Sequence, residues 1–270
     1  MRLGFVHTPS GGHVSRVTEE QRAVFDQEGF VLFDEPLISA TDVAEIRALL
    51  DPLFTRFDDY PDWIAHDLGG ERVRGGQPLV AELEYVTLLA PRLMRTRGVK
   101  VCTDIAQTLF GRRAPIAFSH SVYKPGHSPG TTPWHQDAGY DPTGRKTVAV
   151  WLALQDTDQS NGCMRYLLGS QQGGLLEHHD IPGRHGRTIS AEVDESRIVN
   201  AVLPMGGAAV HREFALHSAG PNNTDEARRS LILEFAPPLD AKDRLRVRLN
   251  RAKVARVRRA VNRKTSAAAA

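Results

Sequence analysis

The chain changes its pattern of hydrophobic and polar residues near residue 115. Before that point, apolar residues recur three and four positions apart, as they do on one face of a helix. After it, short apolar runs alternate with turns rich in Gly, Pro and Asn, which is typical of a β-sandwich or jelly roll. The predicted strands cover residues 116–123, 147–154, 163–168, 198–203, 208–211 and 230–235. Helices followed by a barrel-like β core predict an α+β fold.

The first part of the chain supplies the predicted helices. Thr18 has the spacing of a capping box and begins a helix that stops near Gly29. A second helix, capped by Thr41 or Asp42, continues to Leu50.

Two longer stretches complete the first part. Residues 79–110 are predicted to be helical, with breaks near Pro91 and Gly98. Residues 58–78 are rich in Gly, Asp and Arg, and so long a loop in a compact domain suggests a functional segment such as a lid.

Composition indicates one globular domain. A chain of 270 residues that is 41% hydrophobic can bury a single sizeable core, which we assign to residues 18–243. Residues 1–17 are predicted to be a flexible N-terminus and residues 244–270 a basic tail. Cys102 and Cys163 lie far apart, which argues against a disulfide framework and fits a cytoplasmic protein. No apolar run has the length of a membrane span, and no signal peptide is evident.

The C-terminal segment is unusually basic. From Arg244 onward there are ten Lys and Arg and no Asp or Glu, so the first 243 residues hold 24 basic and 32 acidic residues, a net of −8. Residues 244–248 alternate as an edge strand might, and Val254, Val257 and Val261 follow at helical spacing. The segment is therefore either a helix docked on the acidic body or a docking segment for an acidic partner, such as a carrier protein, an anionic membrane or nucleic acid.

Candidate metal chemistry begins with a His-x-Asp pair. His135 and Asp137 are two positions apart, so a strand end would direct both side chains to the same face. Two histidines and one carboxylate form the ligand set of mononuclear non-heme Fe(II) oxygenases. A third ligand must therefore come from elsewhere in the chain.

Two histidines are candidates for the third metal ligand, and two arginines are candidates for the residue that binds a cosubstrate. His217 lies 82 residues after His135 and is followed by Arg228, whereas His211 lies six residues earlier. The spacing to the arginine favours His217 as the ligand and leaves His211 a supporting or structural role. Arg228 could pair with the far carboxylate of a dicarboxylate cosubstrate, but Arg228 and the adjacent Arg229 face opposite sides of a strand. The pattern alone does not choose between them.

Other histidines and motifs carry less weight. His66, His178 and His179 stand beside aspartates, and we interpret all three as surface or loop residues. No P-loop and no dinucleotide-binding glycine motif is present, so nucleotide cofactors are not expected. Of the acidic partners considered for the basic tail, nucleic acid is the least expected.

Three blocks of the sequence resemble the phytanoyl-CoA dioxygenase family of Fe(II)/2-oxoglutarate oxygenases. The blocks are residues 119–137, residues 151–170 and residues 211–228, and the resemblance runs in element order over most of residues 20–237. It implies a double-stranded β-helix core, jelly-roll or cupin-like, with flanking N-terminal helices.

The resemblance also implies the residues of the site. The facial triad falls on His135, Asp137 and His217, and the 2-oxoglutarate arginine, eleven residues past the distal histidine, falls on Arg228. An aromatic lining residue falls on Trp151 and a cosubstrate-contacting position on His120.

The implied activity is an Fe(II)- and 2-oxoglutarate-dependent dioxygenase. It would use O2 to hydroxylate an aliphatic C–H of a small molecule or a secondary-metabolite intermediate, releasing succinate and CO2, with ascorbate as the reductant in vitro.

Departures from the family and rival functions bear on that prediction. Ala219 stands where a serine often touches the cosubstrate, and Gln171 replaces a common histidine. Desaturation or cyclisation would use the same iron chemistry. A non-catalytic metal- or small-molecule-binding jelly roll would have little need for Arg228 together with an intact triad, and a metal hydrolase or isomerase that does not use 2-oxoglutarate would leave Arg228 without a role.

Overall fold

A computed structural model describes residues 17–141, 144–237 and 241–268. Apart from Val17, the flexible N-terminus predicted over residues 1–17 lies outside the described residues. The helices are α1 (Glu19–Glu28), α2 (Ala40–Phe54), α3 (Val86–Leu89), α4 (Arg97–Phe110) and α5 (Ala241–Ala268). The strands are β1 (Phe30–Phe33), β2 (Ala65–Asp67), β3 (Ala81–Glu84), β4 (Ile116–Lys124), β5 (Thr132–His135), β6 (Val148–Ala153), β7 (Met164–Leu167), β8 (His178–Asp180), β9 (Arg187–Ile189), β10 (Ile198–Asn200), β11 (Ala208–Arg212), β12 (His217–Ala219) and β13 (Arg228–Phe235).

Two antiparallel sheets form the β core. The larger has the order β1-β11-β6-β13-β4-β3-β2 and the smaller the order β10-β7-β12-β5, while β8 and β9 form a separate hairpin. Side chains from both sheets share one apolar cluster, in which Phe30 of the larger sheet stacks on Tyr166 of the smaller at 4.5 Å. The α+β class and the antiparallel sheets are as predicted, and the double-stranded β-helix connectivity stays a prediction.

The helices cover the outer face of the larger sheet. Alternate residues of its strands, such as Val150, Leu152 and Leu231, point outward into a second apolar cluster with α1, α2, α4 and α5. The opposite residues, such as Trp151 and Ile232, point between the two sheets. The larger sheet is therefore buried on both faces, and its inner face is left for the site.

The helix caps confirm one prediction and correct another. Thr18 and Gln21 form the predicted capping box of α1, which ends at Gly29 in the left-handed region, with φ of 76°. The second helix is capped by Ser39, not by Thr41 or Asp42. Asp42 is instead the reciprocal member of that box, since its carboxylate accepts from the Ser39 backbone N–H.

The helix predicted over residues 79–110 is partly wrong. Residues Ala81–Glu84 form β3, which pairs with β2 and β4, because Leu83 enters the core while Glu82 faces the other side. The break at Pro91 is correct, since a short 3-10 turn begins there. Gly98 does not break the chain, because it lies inside α4 where an added Cβ would come within 2.5 Å of Ile46.

Residues 58–78 are not one continuous loop. Part of the segment is β2, and the half-buried Arg72 ties the rest to it. The Arg72 guanidinium donates to the carbonyls of Phe57, Tyr60 and Ala65 and pairs with Asp62 at 2.9 Å. Three of these four partners, Tyr60, Asp62 and Ala65, lie within the segment itself, so the contacts order it internally and a lid function stays a prediction.

The basic C-terminal segment forms α5, so the edge strand suggested for residues 244–248 is wrong. Val254 and Val261 are buried in the main core, and Val257 packs against it. Arg258 donates to the Leu88 carbonyl, while Lys253 lies over the Trp63 ring at 3.8 Å. The helix is therefore docked on the body by the three predicted valines. Across the described residues, none of the helices combines the length and apolarity that a membrane span requires.

We predict that Val261→Ala lowers the free energy of unfolding by about 1–3 kcal/mol, because the valine is only 2% exposed within the core. Leu249→Ala on the same helix is the control, since Leu249 is 63% exposed. Urea unfolding followed by circular dichroism measures both. Equal stability of the two variants would show that α5 is not part of the folded core.

Candidate metal and cosubstrate site

Three predicted ligands meet where the smaller sheet faces the larger one. His135 is the last residue of β5, Asp137 lies in the turn that follows it, and His217 is the first residue of β12. β12 pairs with β5 so that His217 stands directly opposite His135, and their rings are 4.2 Å apart. Strand pairing therefore closes the 82-residue gap in sequence.

The tautomers of both histidines leave Nε2 available to a metal. His135 Nδ1 donates to the Pro133 carbonyl at 2.8 Å, and His217 Nδ1 donates to the Ala215 carbonyl at 2.9 Å. Because a carbonyl can only accept, each Nε2 keeps its lone pair. An oxygen of Asp137 lies 3.9 Å from His135 Nε2 and 3.5 Å from His217 Nε2. One ligand atom from each residue lies within 4.8 Å of the others, so the set fits a divalent metal ion.

Electrostatics favour the protonation states that ligands need. Burial lowers the pKa of His135, and burial together with repulsion from His135 and His211 lowers that of His217 well below its usual value. Burial alone would raise the pKa of Asp137, but the charge of His217 and the hydrogen bond from His211 lower it. Neutral imidazoles and an ionised carboxylate are the metal-binding forms.

His211 touches the triad without offering it a lone pair. Its Nε2 lies 3.1 Å from the second oxygen of Asp137, and its Nδ1 lies 3.0 Å from the Tyr166 hydroxyl. Since the carboxylate accepts, His211 Nε2 donates and Nδ1 accepts from Tyr166. His211 and His217 are far apart on an extended chain, yet their rings are 4.4 Å apart because the chain turns between the two sheets.

The structure separates the two adjacent arginines. Arg228 is 1% exposed and lines the cavity that holds the triad, with its guanidinium 5.2 Å from the centre of the Trp151 ring. Its Nη1 donates to the Ser230 hydroxyl at 3.3 Å, and its Nε is buried without a partner. Arg229 points to the opposite face and pairs with Asp51 on α2 at 3.1 Å. A buried guanidinium with unused donors fits a carboxylate ligand.

Lys124 is a buried amine beside Arg228 that the sequence did not single out. It pairs with Arg228 in the β4–β13 register and donates to the Gly220 carbonyl. Burial, then repulsion from Arg228 and Arg165, lowers the pKa of Lys124 to about 6. The neutral form of this amine is therefore favoured beside the charged guanidinium of Arg228.

His120 lines the same cavity, but its ring nitrogens face carboxylates. Nδ1 lies 2.5 Å from Glu82 and Nε2 lies 3.9 Å from Glu234. Burial would lower the pKa of His120, yet the hydrogen bond and charge of Glu82, with further help from Glu234, raise it to about 9. Contact of His120 with 2-oxoglutarate stays a prediction.

Two of the histidines interpreted as surface residues are buried. His66 lies on β2 at 6% exposure, and His178 begins β8 at 8% exposure. His178 Nε2 accepts from the backbone N–H of Gln136 at 3.0 Å, so it supports the turn between the first two triad ligands. Only His179 is exposed as predicted.

The cavity, of about 410 Å³, has an acidic wall that sequence reasoning missed. Glu82, Glu84 and Glu234 line it alongside the triad and Arg228. Alternation along β3 puts Glu82 and Glu84 on one face, and alternation along β13 puts Glu234 on the face of Arg228. The signal was present in the sequence, but β3 was taken for helix.

Comparison with known proteins agrees with this geometry. The family described as Phytanoyl-CoA dioxygenase (PhyH) matches residues 25–230. The chain belongs to the phytanoyl-CoA dioxygenase family. EvdO2 from Micromonospora carbonacea var. aurantiaca superimposes on this family member with a TM-score of 0.71 and 31% identity, covering 85% of this chain and 95% of EvdO2. The 2-oxoglutarate complex of EvdO2 superimposes with a TM-score of 0.70.

Curated relatives of this family member are more distant. It is 28% identical over 140 residues to a probable alpha-ketoglutarate-dependent hypophosphite dioxygenase of Stutzerimonas stutzeri, a stretch that covers 49% of each chain. The match therefore spans about half the length of that relative. A methylphosphonate hydroxylase of Gimesia maris is 24% identical over 220 residues, covering 81% of this chain and 80% of its own. The family, the solved neighbours and the His/Asp/His set of this chain are those of non-heme iron and 2-oxoglutarate oxygenases.

We predict that His217→Ala abolishes Fe(II) binding, whereas His211→Ala keeps it and weakens affinity about 10–100-fold, because His211 only orients Asp137. Anaerobic titration of Fe(II) into the metal-free protein measures both. Loss of binding in the His211 variant with retention in the His217 variant would reverse the assignment. A thermal unfolding curve for each variant checks that the fold is kept.

Proposed function

We propose that the protein is an Fe(II)/2-oxoglutarate-dependent dioxygenase that hydroxylates an aliphatic C–H bond of a small molecule, such as a secondary-metabolite intermediate. The observation that carries this proposal is Arg228, a buried cation in the wall of the triad's cavity. No acidic side chain pairs with it among the residues that the structure describes. Burying such a charge is costly unless a ligand supplies the opposite one.

Each residue has a proposed role in that reaction. His135, Asp137 and His217 would hold Fe(II), and Arg228 would bind the far carboxylate of 2-oxoglutarate beside the Trp151 ring. When iron, 2-oxoglutarate and O2 are bound, oxidative decarboxylation to succinate and CO2 supplies the oxidant for a substrate C–H bond. His211 would keep Asp137 oriented, and burial of the triad would keep bulk water away from it.

A hydroxylase is favoured over the rivals for physical reasons. A non-catalytic binding module, or a hydrolase that does not use 2-oxoglutarate, would leave the buried Arg228 without a counter-charge. Desaturation and cyclisation use the same iron chemistry and form the alternative outcome. Two relatives, described as a hypophosphite dioxygenase and a methylphosphonate hydroxylase, act on small molecules by name, which supports a small substrate here.

We further propose that the substrate is free and that the enzyme is cytoplasmic. The docked α5 accounts for the three valines of the basic segment, and no relative named above points to an acidic carrier protein. Both cysteines are free and buried, which fits a reducing compartment.

We predict that the purified protein with Fe(II), ascorbate and 2-oxoglutarate releases succinate, and that a true substrate increases the rate. Succinate is measured by chromatography with mass detection over a panel of small molecules. Asp137→Ala is the matched control and should release none. Absence of succinate from the iron-loaded wild type under every condition, together with no 2-oxoglutarate binding, would contradict the proposed function.

We predict that Arg228→Ala raises the 2-oxoglutarate concentration needed for half-maximal turnover far more than Arg229→Ala does. Loss of a charge-assisted contact with a buried carboxylate costs ~2–5 kcal/mol. Arg229 pairs with Asp51, so Arg229→Ala should lower the free energy of unfolding instead. Steady-state kinetics with varied 2-oxoglutarate measure the effect, and equal shifts in the two variants would remove Arg228 from the cosubstrate site.

A further inference from the structure

One wall of the cavity concentrates carboxylates that the proposed reaction does not use. Glu82 and Glu84 on β3 and Glu234 on β13 flank His120 on β4, and all three line the cavity. Their side chains are 8%, 18% and 22% exposed, so each is largely withdrawn from bulk water. The iron triad and Arg228 lie elsewhere along the same cavity. A ligand at this wall would therefore share the cavity with the metal and the cosubstrate.

Around Glu234 the wall holds more acids than bases. His120 contacts Glu82 at 2.5 Å and stands 3.9 Å from Glu234, so one imidazole serves two acids. The charges that act most strongly on Glu234 are those of Asp137, His120, Glu82 and Glu84, of which only His120 is a base. Burial, and then repulsion from the three acids, raises the pKa of Glu234 to about 8. A cation at this wall would relieve that repulsion.

His66 adds an independent sign that a group is missing here. It is 6% exposed, and its Nε2 has no hydrogen-bond partner, although it lies 3.3 Å from Glu84. Buried polar atoms without partners are rare in native proteins and call for an explanation. His66 does not line the cavity itself, so Glu84, which it leaves without a well-aligned hydrogen bond, is the group that a ligand in the cavity would meet.

Aromatic rings complete the wall. Tyr85 and Phe118 line the cavity next to the acids, and their rings meet edge to face at 5.2 Å. Tyr85 has φ of 58°, in the left-handed region that a residue with a bulky side chain rarely adopts. Such strain is concentrated at binding sites, where it fixes the direction of a side chain. Carboxylates beside aromatic faces are suited to an organic ammonium group, which both attract.

A metal ion held by Glu84 and its two neighbouring histidines is a less suitable occupant of this wall. His66, Glu84 and His185 bring ligand atoms within 4.8 Å of one another, but the two imidazoles are stacked 3.6 Å apart at an angle of 19°. Nearly parallel rings direct their lone pairs side by side rather than toward one point. The stack suits a flat wall for an organic ligand better than a chelating pair.

We propose that the wall formed by Glu82, Glu84, Glu234, Tyr85 and Phe118 binds a protonated amine of the substrate, so that the substrate class is an organic amine with an oxidisable C–H bond. This inference rests on the proposed function for the reaction, but the binding itself does not require turnover. The ammonium lies against Glu84 and Glu234, and its carbon skeleton extends along the cavity toward the triad.

The test compares two probes that share a carbon skeleton and differ in their polar group, the ammonium of cyclohexylmethylamine and the neutral hydroxyl of cyclohexylmethanol. Affinity for the iron- and 2-oxoglutarate-loaded protein is measured anaerobically at pH 7 by ligand-observed NMR. We expect the amine to bind at least about tenfold more tightly than the alcohol. Glu84→Gln and Glu234→Gln should each remove most of that difference while leaving the affinity of the alcohol unchanged. Glu192→Gln, at an exposed position outside the cavity, is the matched control.

Two further measurements separate the alternatives. Metal analysis after Zn²⁺ loading should give one ion per chain, and a second ion that is lost in Glu84→Gln would overturn the inference in favour of a metal site. Equal affinity of the two probes, or no binding of the amine up to about 10 mM, would also overturn it. Anaerobic binding of 2-oxoglutarate to the wild type is followed in the same samples. Absence of 2-oxoglutarate binding would contradict the proposed function. Binding of 2-oxoglutarate with no preference for the amine would contradict only this inference.

Discussion

The pairing of β12 with β5 is the constraint on which the site depends. It sets His217 opposite His135, while the turn after β5 brings Asp137 beneath both rings. Backbone carbonyls then hold each Nδ1–H, and the chain from Tyr166 through His211 holds the carboxylate. A shift of one residue in this register would turn His217 to the other face of its sheet and leave the metal set incomplete. The site is thus built from backbone geometry first and side-chain contacts second.

The cavity is electrostatically unbalanced at both ends. Near the triad, Arg228 is a buried cation with which no acidic side chain of the described residues pairs, and Lys124 beside it is driven toward the neutral form. At the acidic wall, Glu82 and Glu234 share one close base, His120, while Glu84 lies beside His66. A folded chain tolerates buried charges of this kind when ligands complete them. A dicarboxylate at one end and an amine at the other would restore neutrality, which links the proposed cosubstrate to the inferred substrate class.

The helical layer gives this unbalanced cavity a rigid support. It buries the outer face of the larger sheet, so that the inner face can carry polar and charged residues without loss of the fold. The C-terminal helix α5 contributes Val254 and Val261 to that layer, and Val247 and Asn250 near its start line the cavity. The basic segment is therefore joined to both the core and the site.

The sequence by itself determined the fold class, the capping box of α1, most of the later strands and the residues His135, Asp137, His217 and Arg228 as candidates. These signals are local, because capping and strand alternation depend on neighbours only a few positions away. Sequence spacing favoured His217 over His211 as the ligand, but only the structure shows that His211 gives its Nε2–H to Asp137. The sequence could not choose Arg228 over Arg229 until the two faces of β13 were assigned to the cavity and to α2.

Only the tertiary structure shows that the three glutamates of the acidic wall share one cavity. Glu82 and Glu84 fall in a stretch whose composition resembles a helix, and their strand forms because β2 and β4 flank it on both sides. His66 and His178 are buried for the same kind of reason, through elements that pack over them from distant parts of the chain. Local pattern specifies which elements can form. Which side chains share a cavity depends on contacts between residues far apart in sequence, and no local pattern encodes those contacts.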